Sequence, residues 1–355
     1  MIVLALALLA AAPQEVRVGV YLKNVDGLDF RNNSYSLSFD LWLRWKGEID
    51  PTKTLLLANA IDNWAMTTAP AYEQPKTLDD GSRYQRFTVE GRFYHKFWLG
   101  TFPLDWQKVV VEIEDTAHPP SALVYVADPA AATRADLTLP GWDIVEKYNV
   151  AAIMQLDTTR GEGTVPGETR ASVSRYRYGL KIMRSPSYFW FKVLPPILMV
   201  IVSCFFVIRL QARSVDVRAG TIVVALLTEV FLQQQFEAPL PGVGLQFLLD
   251  HVFNLSYFVM VALLVESIIV ARLWDRALRL DEQHLLTVQR RHDAALAAAP
   301  NAAVQGVDYA SSALPGDALR RLIDRCDRLC FIGAPVLYVF GCVLIVWLTR
   351  GQLII

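Results

Sequence analysis

The first half of this 355-residue chain has no cysteine; Cys204, Cys326, Cys330 and Cys342 all fall in or beside apolar runs of the second half. A cysteine-free domain has no disulfide framework, so residues up to about Ser185 must be held by packing alone. Cys326 and Cys330 share a helix face, yet no histidine or further thiol accompanies them. Packing is the reading for that pair, and no metal is expected. An excess of one charge is also missing: 34 basic against 35 acidic residues leave a net charge of −1. A nucleic-acid partner finds no basic surplus there. The motifs of catalysis are absent too. There is no nucleophile elbow, no zinc-binding helix and no glycine-rich phosphate loop. The chain does not read as an enzyme, and no cofactor is expected.

What the chain has is hydrophobicity, 53% of residues, unevenly placed. The opening "MIVLALALLAAAPQ" is a short apolar run ending in small residues, and residues 1–12 read as a signal peptide. It has no positive n-region, and the other reading is an ordinary first strand. Residues 13–185 alternate apolar and polar side chains in runs such as "SYSLSFDLWLRW", "RYQRFTVEGRFYHKFWL" and "KVVVEIED". Turn signals at Asp26-Gly27, Asp79-Asp80-Gly81, Pro140-Gly141 and Pro166-Gly167 separate them. No long helical pattern intervenes, so an all-β, immunoglobulin-like sandwich is predicted. The acids Glu112, Glu114 and Asp115 read as solvated strand ends, with calcium binding the sharper alternative.

Four apolar segments of about twenty residues follow, each the length a bilayer requires. Three lie within residues 186–273, a cytoplasmic linker occupies 274–325, and the last lies within 326–355. Arg209, Arg213 and Arg218 stand between the first two; Arg272, Arg276 and Arg279 follow the third; Arg320, Arg321, Arg325 and Arg328 precede the fourth. The positive-inside rule then places the β-domain outside. Together with a signal peptide this indicates a multi-pass membrane protein with an exported N-terminal domain.

The second segment, "VRAGTIVVALLTEVFLQQQF", is the least lipid-like. On a 3.6-residue helix Asp216, Gly220, Val223, Val224, Leu227, Phe231 and Gln234 share one stripe. It runs acid, small, aliphatic, aromatic, amide. A ring of such helices has a charged mouth, a hydrophobic girdle at Leu227 and Phe231, and a polar vestibule. Acid rings favour cations, which makes Asp216 the selectivity candidate, and hydrophobic girdles gate by dewetting. One copy cannot enclose a pore, so a symmetric oligomer is required. Glu229 lies opposite the stripe. Ser203, Asn254 and Ser256 are its possible hydrogen-bond partners, and a titrating gate is the alternative to a structural hydrogen bond.

The whole order, together with "FPLDWQ" (Phe102 to Gln107), "KIMRSPSYFWFKVLPP" and "PLPGVG", resembles the pentameric ligand-gated ion channels of the Cys-loop receptor superfamily. The disulfide that names the family would fall at His95 and Val109, so the resemblance is to bacterial members that lack it. It implies a homopentamer with a lipid-embedded helix bundle, the second helices lining the pore and monovalent cations passing through it. It places Leu227 at the mid-pore and Asp216 at the inner ring, with Gly220 and Phe231 as departures. It implies gating-coupling roles for Phe102, Pro103, Asp105, Arg184, Glu237 and Pro241. It also implies an agonist site between subunits, with Asp62, Trp64, Tyr125 and Tyr176 on one face and Trp42, Arg44 and Arg92 on the other. A small amine attracted by the aromatic box, an acidic ligand or protons are the possible agonists. Competing readings are an anion channel of the same fold and a non-conducting membrane-anchored sensor.

Overall fold

The computed structural model describes residues 12–159, 161, 170–241, 246–298 and 314–350. Most of the expected signal peptide, most of the loop before Ser172 and half of "PLPGVG" lie outside these residues. The chain divides into two compact units.

The first unit is a β-sandwich. One sheet runs β10 (Ala132–Thr133), β1 (Gln14–Asp29), β2 (Ser34–Trp45), β7 (Arg83–Tyr94) and β4 (Ala60–Ile61). Three short strands extend it: β5 (Thr67–Pro70) and β6 (Lys76–Thr77) pair with β7, and β9 (Leu123–Ala127) pairs with β1. The second sheet runs β11 (Trp142–Gln155), β12 (Ser172–Arg184), β8 (Trp106–Asp115) and β3 (Leu55–Leu57). β2 shows why these segments are strands. Tyr35, Leu37, Phe39, Leu41, Leu43 and Trp45 recur at every second position and all are buried. Period-two alternation puts them on one sheet face. From the other sheet Val109, Val111, Ile113, Leu180 and Ile182 meet the same core. The Tyr35 hydroxyl joins β2 to β8: it donates to the Val110 carbonyl at 2.7 Å and accepts from the Val110 N–H at 2.9 Å.

The second unit is helical. A π-helical turn (Phe189–Val193) opens it and leads into α2 (Leu194–Val207), while the short turn α1 (Pro186–Tyr188) counts with the first unit. Pro195 and Pro196 occupy the first turn of α2, where a backbone N–H has no intrahelical partner to lose. Then come α3 (Val215–Glu237), α4 (Leu248–Ala298) and α5 (Asp317–Arg350). Their shared interior holds Ile201, Cys204, Phe205, Ile222, Ala225, Met260, Leu263 and Tyr338. All four cysteines are free thiols.

Among the described residues, three stretches are long and apolar enough to cross a membrane: Pro186–Val207, Leu248–Ala298 and Asp317–Thr349. Four were expected. The segment that drops out is α3, set apart by Asp216, Arg218, Glu229 and three glutamines. Where a linker was expected from residue 274, α4 continues unbroken to Ala298. At 51 residues and about 1.5 Å per residue, it is far longer than a bilayer is thick. The Asp281 carboxylate on this extension accepts from the Gly316 N–H at 2.7 Å and from Arg320 at 2.5 Å. The described parts of the stretch are thus an ordered helix pair.

Candidate functional site

α3 carries two stripes of opposite character. Arg218, Ile222, Ala225 and Glu229 are buried against α2, α4 and α5. Asp216, Gly220, Val223, Val224, Leu227, Phe231 and Gln234 are all exposed, with Val224 at 63% and Leu227 at 57%. The stripe deduced from helical periodicity is therefore the face that this chain's own helices leave uncovered. A side chain added at Gly220 would meet open space. Asp216 lies in the first turn, where the helix dipole favours a carboxylate. At the opposite end Thr228, Phe231, Leu232, Gln234, Gln235 and Ala238 line a groove of about 630 Å³. The three glutamines divide their work. Gln233 turns inward, accepting from the Tyr257 hydroxyl and donating to Glu237, both at 2.6 Å. Gln234 and Gln235 stay exposed.

Arg218 does not belong to the exposed stripe. Its guanidinium, 0% exposed, forks onto Asp327 of α5 at 2.8 and 3.3 Å and also donates to the Leu210 carbonyl. Glu266 of α4 stands beside the same pair. Sequence reasoning had placed this arginine among the charges flanking the membrane. Helical spacing carried the missed signal: Arg218 and Glu229 are eleven residues, about three turns, apart and so share a face. Glu229 is also 0% exposed. Ser256 lies beside its carboxyl, but that hydroxyl is engaged with Tyr338 at 2.9 Å. Neither Glu229 oxygen completes a hydrogen bond among the described residues.

The expected coupling residues fall into separate groups. Arg184 clamps Asp105 at 2.7 and 3.3 Å, and its backbone N–H donates to the Asp105 carbonyl at 3.0 Å. The Trp142 ring lies 4.3 Å from the guanidinium. Gln107 completes the arrangement with a 2.7 Å bond to the same carboxylate. Phe102 and Pro103 count with the helical unit, where the Phe102 ring stands 6.3 Å from Phe247. Leu248 N–H donates to the Gly100 carbonyl at 3.0 Å in that unit. Glu237 is held by Gln233, and Pro241 is half-buried.

The agonist candidates do not form one cage. Tyr125 and Tyr176 are 4% and 0% exposed and belong to the sandwich core, which corrects their assignment to a binding face. Asp62 and Arg92, assigned to opposite faces, pair at 3.0 Å within one chain. Arg92 also donates to Ser34 at 2.8 Å, and Asp62 and Arg92 border a cleft of about 690 Å³ with Lys23, Glu90 and Arg134. Trp42 donates to Asp128 at 2.9 Å, and Arg44 forks onto Asp80 and Ser82. Trp64 is 88% exposed. The acids expected as solvated strand ends are enclosed instead. Glu114 and Asp115 are buried, with Arg175 pairing Glu112 and Glu114, and Thr54 bonding Asp115 at 2.5 Å.

The chain matches no protein-family model and no curated protein sequence.

Proposed function

We propose that this chain is one subunit of a ligand-gated, cation-selective channel of the Cys-loop receptor type, working as a homopentamer with α3 lining a central pore. The observation that carries this reading is the two-faced α3. One stripe is packed within the chain; the other is polar at both ends, apolar in the middle and uncovered. A helix wholly surrounded by lipid has no use for Asp216 and Gln234 on its outer face, because polar groups in hydrocarbon are costly. Water on that side removes the cost. The burial of Arg218 leaves Asp216 as the acid of the exposed stripe, which supports cation over anion passage. In this reading the β-sandwich faces the periplasm of a bacterial cell and receives a small-molecule agonist or protons. The helices sit in the lipid of the inner membrane.

The reversal potential under a sodium chloride gradient tests the proposal, with purified protein in a planar bilayer. Leu227→Ala is expected to conduct without agonist and reverse near the sodium potential, and adding Asp216→Ala should move the reversal toward chloride. A Leu227→Ala reversal already at the chloride potential would make it an anion channel. No current from a verified pentamer would leave the membrane-anchored sensor.

A further inference from the structure

The outward face of the second sheet holds a basin of about 520 Å³ that the channel reading does not use. Its rows follow from strand register. Lys181 of β12 stands directly opposite Lys108 of β8, and Glu146 of β11 stands beyond Lys181. Two residues on, the row is Tyr148, Gly179 and Val110. Gly179 has to be a glycine: a Cβ there would lie 2.4 Å from the Val109 carbonyl oxygen and 2.7 Å from the Tyr148 hydroxyl oxygen. The missing side chain lets the Tyr148 ring lie flat across β12 as the floor of the basin. Burial pushes the Tyr148 hydroxyl up to about 12, so the floor stays uncharged. Trp106 forms one wall, and Val150 lines the basin on the β11 side.

Like charges directly opposite one another on a sheet are destabilising. Lys108 and Lys181 nevertheless face each other, and neither forms an ion pair among the described residues. Their ammonium groups stand 5.7 and 4.7 Å from the Trp106 ring centroid, which brings both charges to one wall. The other cation of the basin, Arg177, is already paired with Glu112 at 2.8 Å. Two unneutralised ammonium groups above an apolar floor, on rigid strands, make a receptor for an anion. Glu146 and Glu112 on the rim disfavour a dianion such as phosphate. The apolar floor favours a molecule with a flat or hydrophobic body.

We propose that this basin binds a small amphipathic monocarboxylate, its carboxylate between Lys108 and Lys181 and its apolar body on Tyr148, Val110 and Trp106. The site is contained within one chain and stands whether or not the protein conducts.

The test uses the full-length protein in detergent with para-fluorobenzoate as the probe, followed by fluorine NMR line broadening. Saturable broadening is expected with wild type, together with loss of affinity in Lys108→Gln/Lys181→Gln of about ten-fold or more, two charge-assisted contacts being removed. Lys108→Arg/Lys181→Arg should retain binding, and the uncharged para-fluorobenzamide should bind far more weakly. Circular dichroism melting of the lysine variants is expected to match wild type, so that lost binding reports the site. The proposal is overturned by equal affinity in the glutamine variant, by equal binding of the amide, or by no saturable binding to wild type.

Discussion

Each unit of this chain contains a forked arginine–aspartate pair, and the two pairs have nearly the same distances. In the sandwich Arg184 meets Asp105 at 2.7 and 3.3 Å; in the bundle Arg218 meets Asp327 at 2.8 and 3.3 Å. The surroundings differ. Asp105 also has Gln107, and the Arg184 guanidinium rests near Phe30, Trp142 and Tyr188. Arg218 has a backbone carbonyl and a second acid nearby, and its Nε is left without a hydrogen-bond partner. The sandwich pair closes a well-satisfied network around a fully buried Asp105. The bundle pair is a charge placed inside a unit whose outer surface is apolar, with Leu337, Phe340, Val343 and Trp347 of α5 all more than 60% exposed. The same bond geometry therefore carries different energetic weight. Removing one member of a buried pair strands the other, and what it is stranded with differs: Asp105 keeps Gln107, whereas Asp327 is left beside Glu266.

That contrast breaks or survives on three measurements. The largest effect is expected from Arg218→Ala, which strands Asp327 beside Glu266 and should cost about 3–5 kcal/mol of stability. Arg218→Ala/Asp327→Ala should recover part of the loss in a double-mutant cycle read by thermal unfolding in detergent. Additive losses would show that the pair is not coupled. Arg184→Ala is expected to cost less, about 2–3 kcal/mol, because Asp105 keeps its bond from Gln107 and has no second acid such as Glu266 beside it. If Arg184→Ala proves the more damaging, the weighting of the two units is reversed.

The smallest effect concerns His95. Burial lowers its pKa, Lys108 and Arg177 add to that, and Glu112 opposes it. A folded value below the ordinary ~6.5 means that the unfolded chain binds the proton more readily. Its contribution is therefore undiminished above about pH 6.5, and stability falls as acid is added until the pH passes the folded value. His95→Gln should flatten that part of the melting-temperature profile of the β-signal between about pH 7.5 and 5.5. An unchanged profile would mean that the imidazole is not the group responsible.

Much of this architecture was legible in the residues because it rests on periodicity. β2 alternates buried and half-buried residues from Tyr35 to Trp45, and its inward set is the core. The α3 stripe follows from 3.6-residue spacing alone. What escaped depended on partners far away in sequence. Tyr125 and Tyr176 looked like cage aromatics because composition cannot distinguish an aromatic facing a cleft from one facing the opposite sheet. Arg218 looked like a flanking charge because its partner is 109 residues away. The tie between the far part of α4 and the start of α5 escaped because the partners of Asp281, Gly316 and Arg320, lie 35 and 39 residues away.

The burial of both Arg218 and Glu229 limits how α3 can move. These two polar groups sit about three turns apart on one edge of the helix. Any spin of α3 about its long axis drags a guanidinium away from Asp327 and moves a carboxyl out of the bundle in the same motion. A tilt or a bend leaves both where they are. The helix is keyed against rotation like a shaft with two splines, and motions that change the exposed stripe are channelled into rocking.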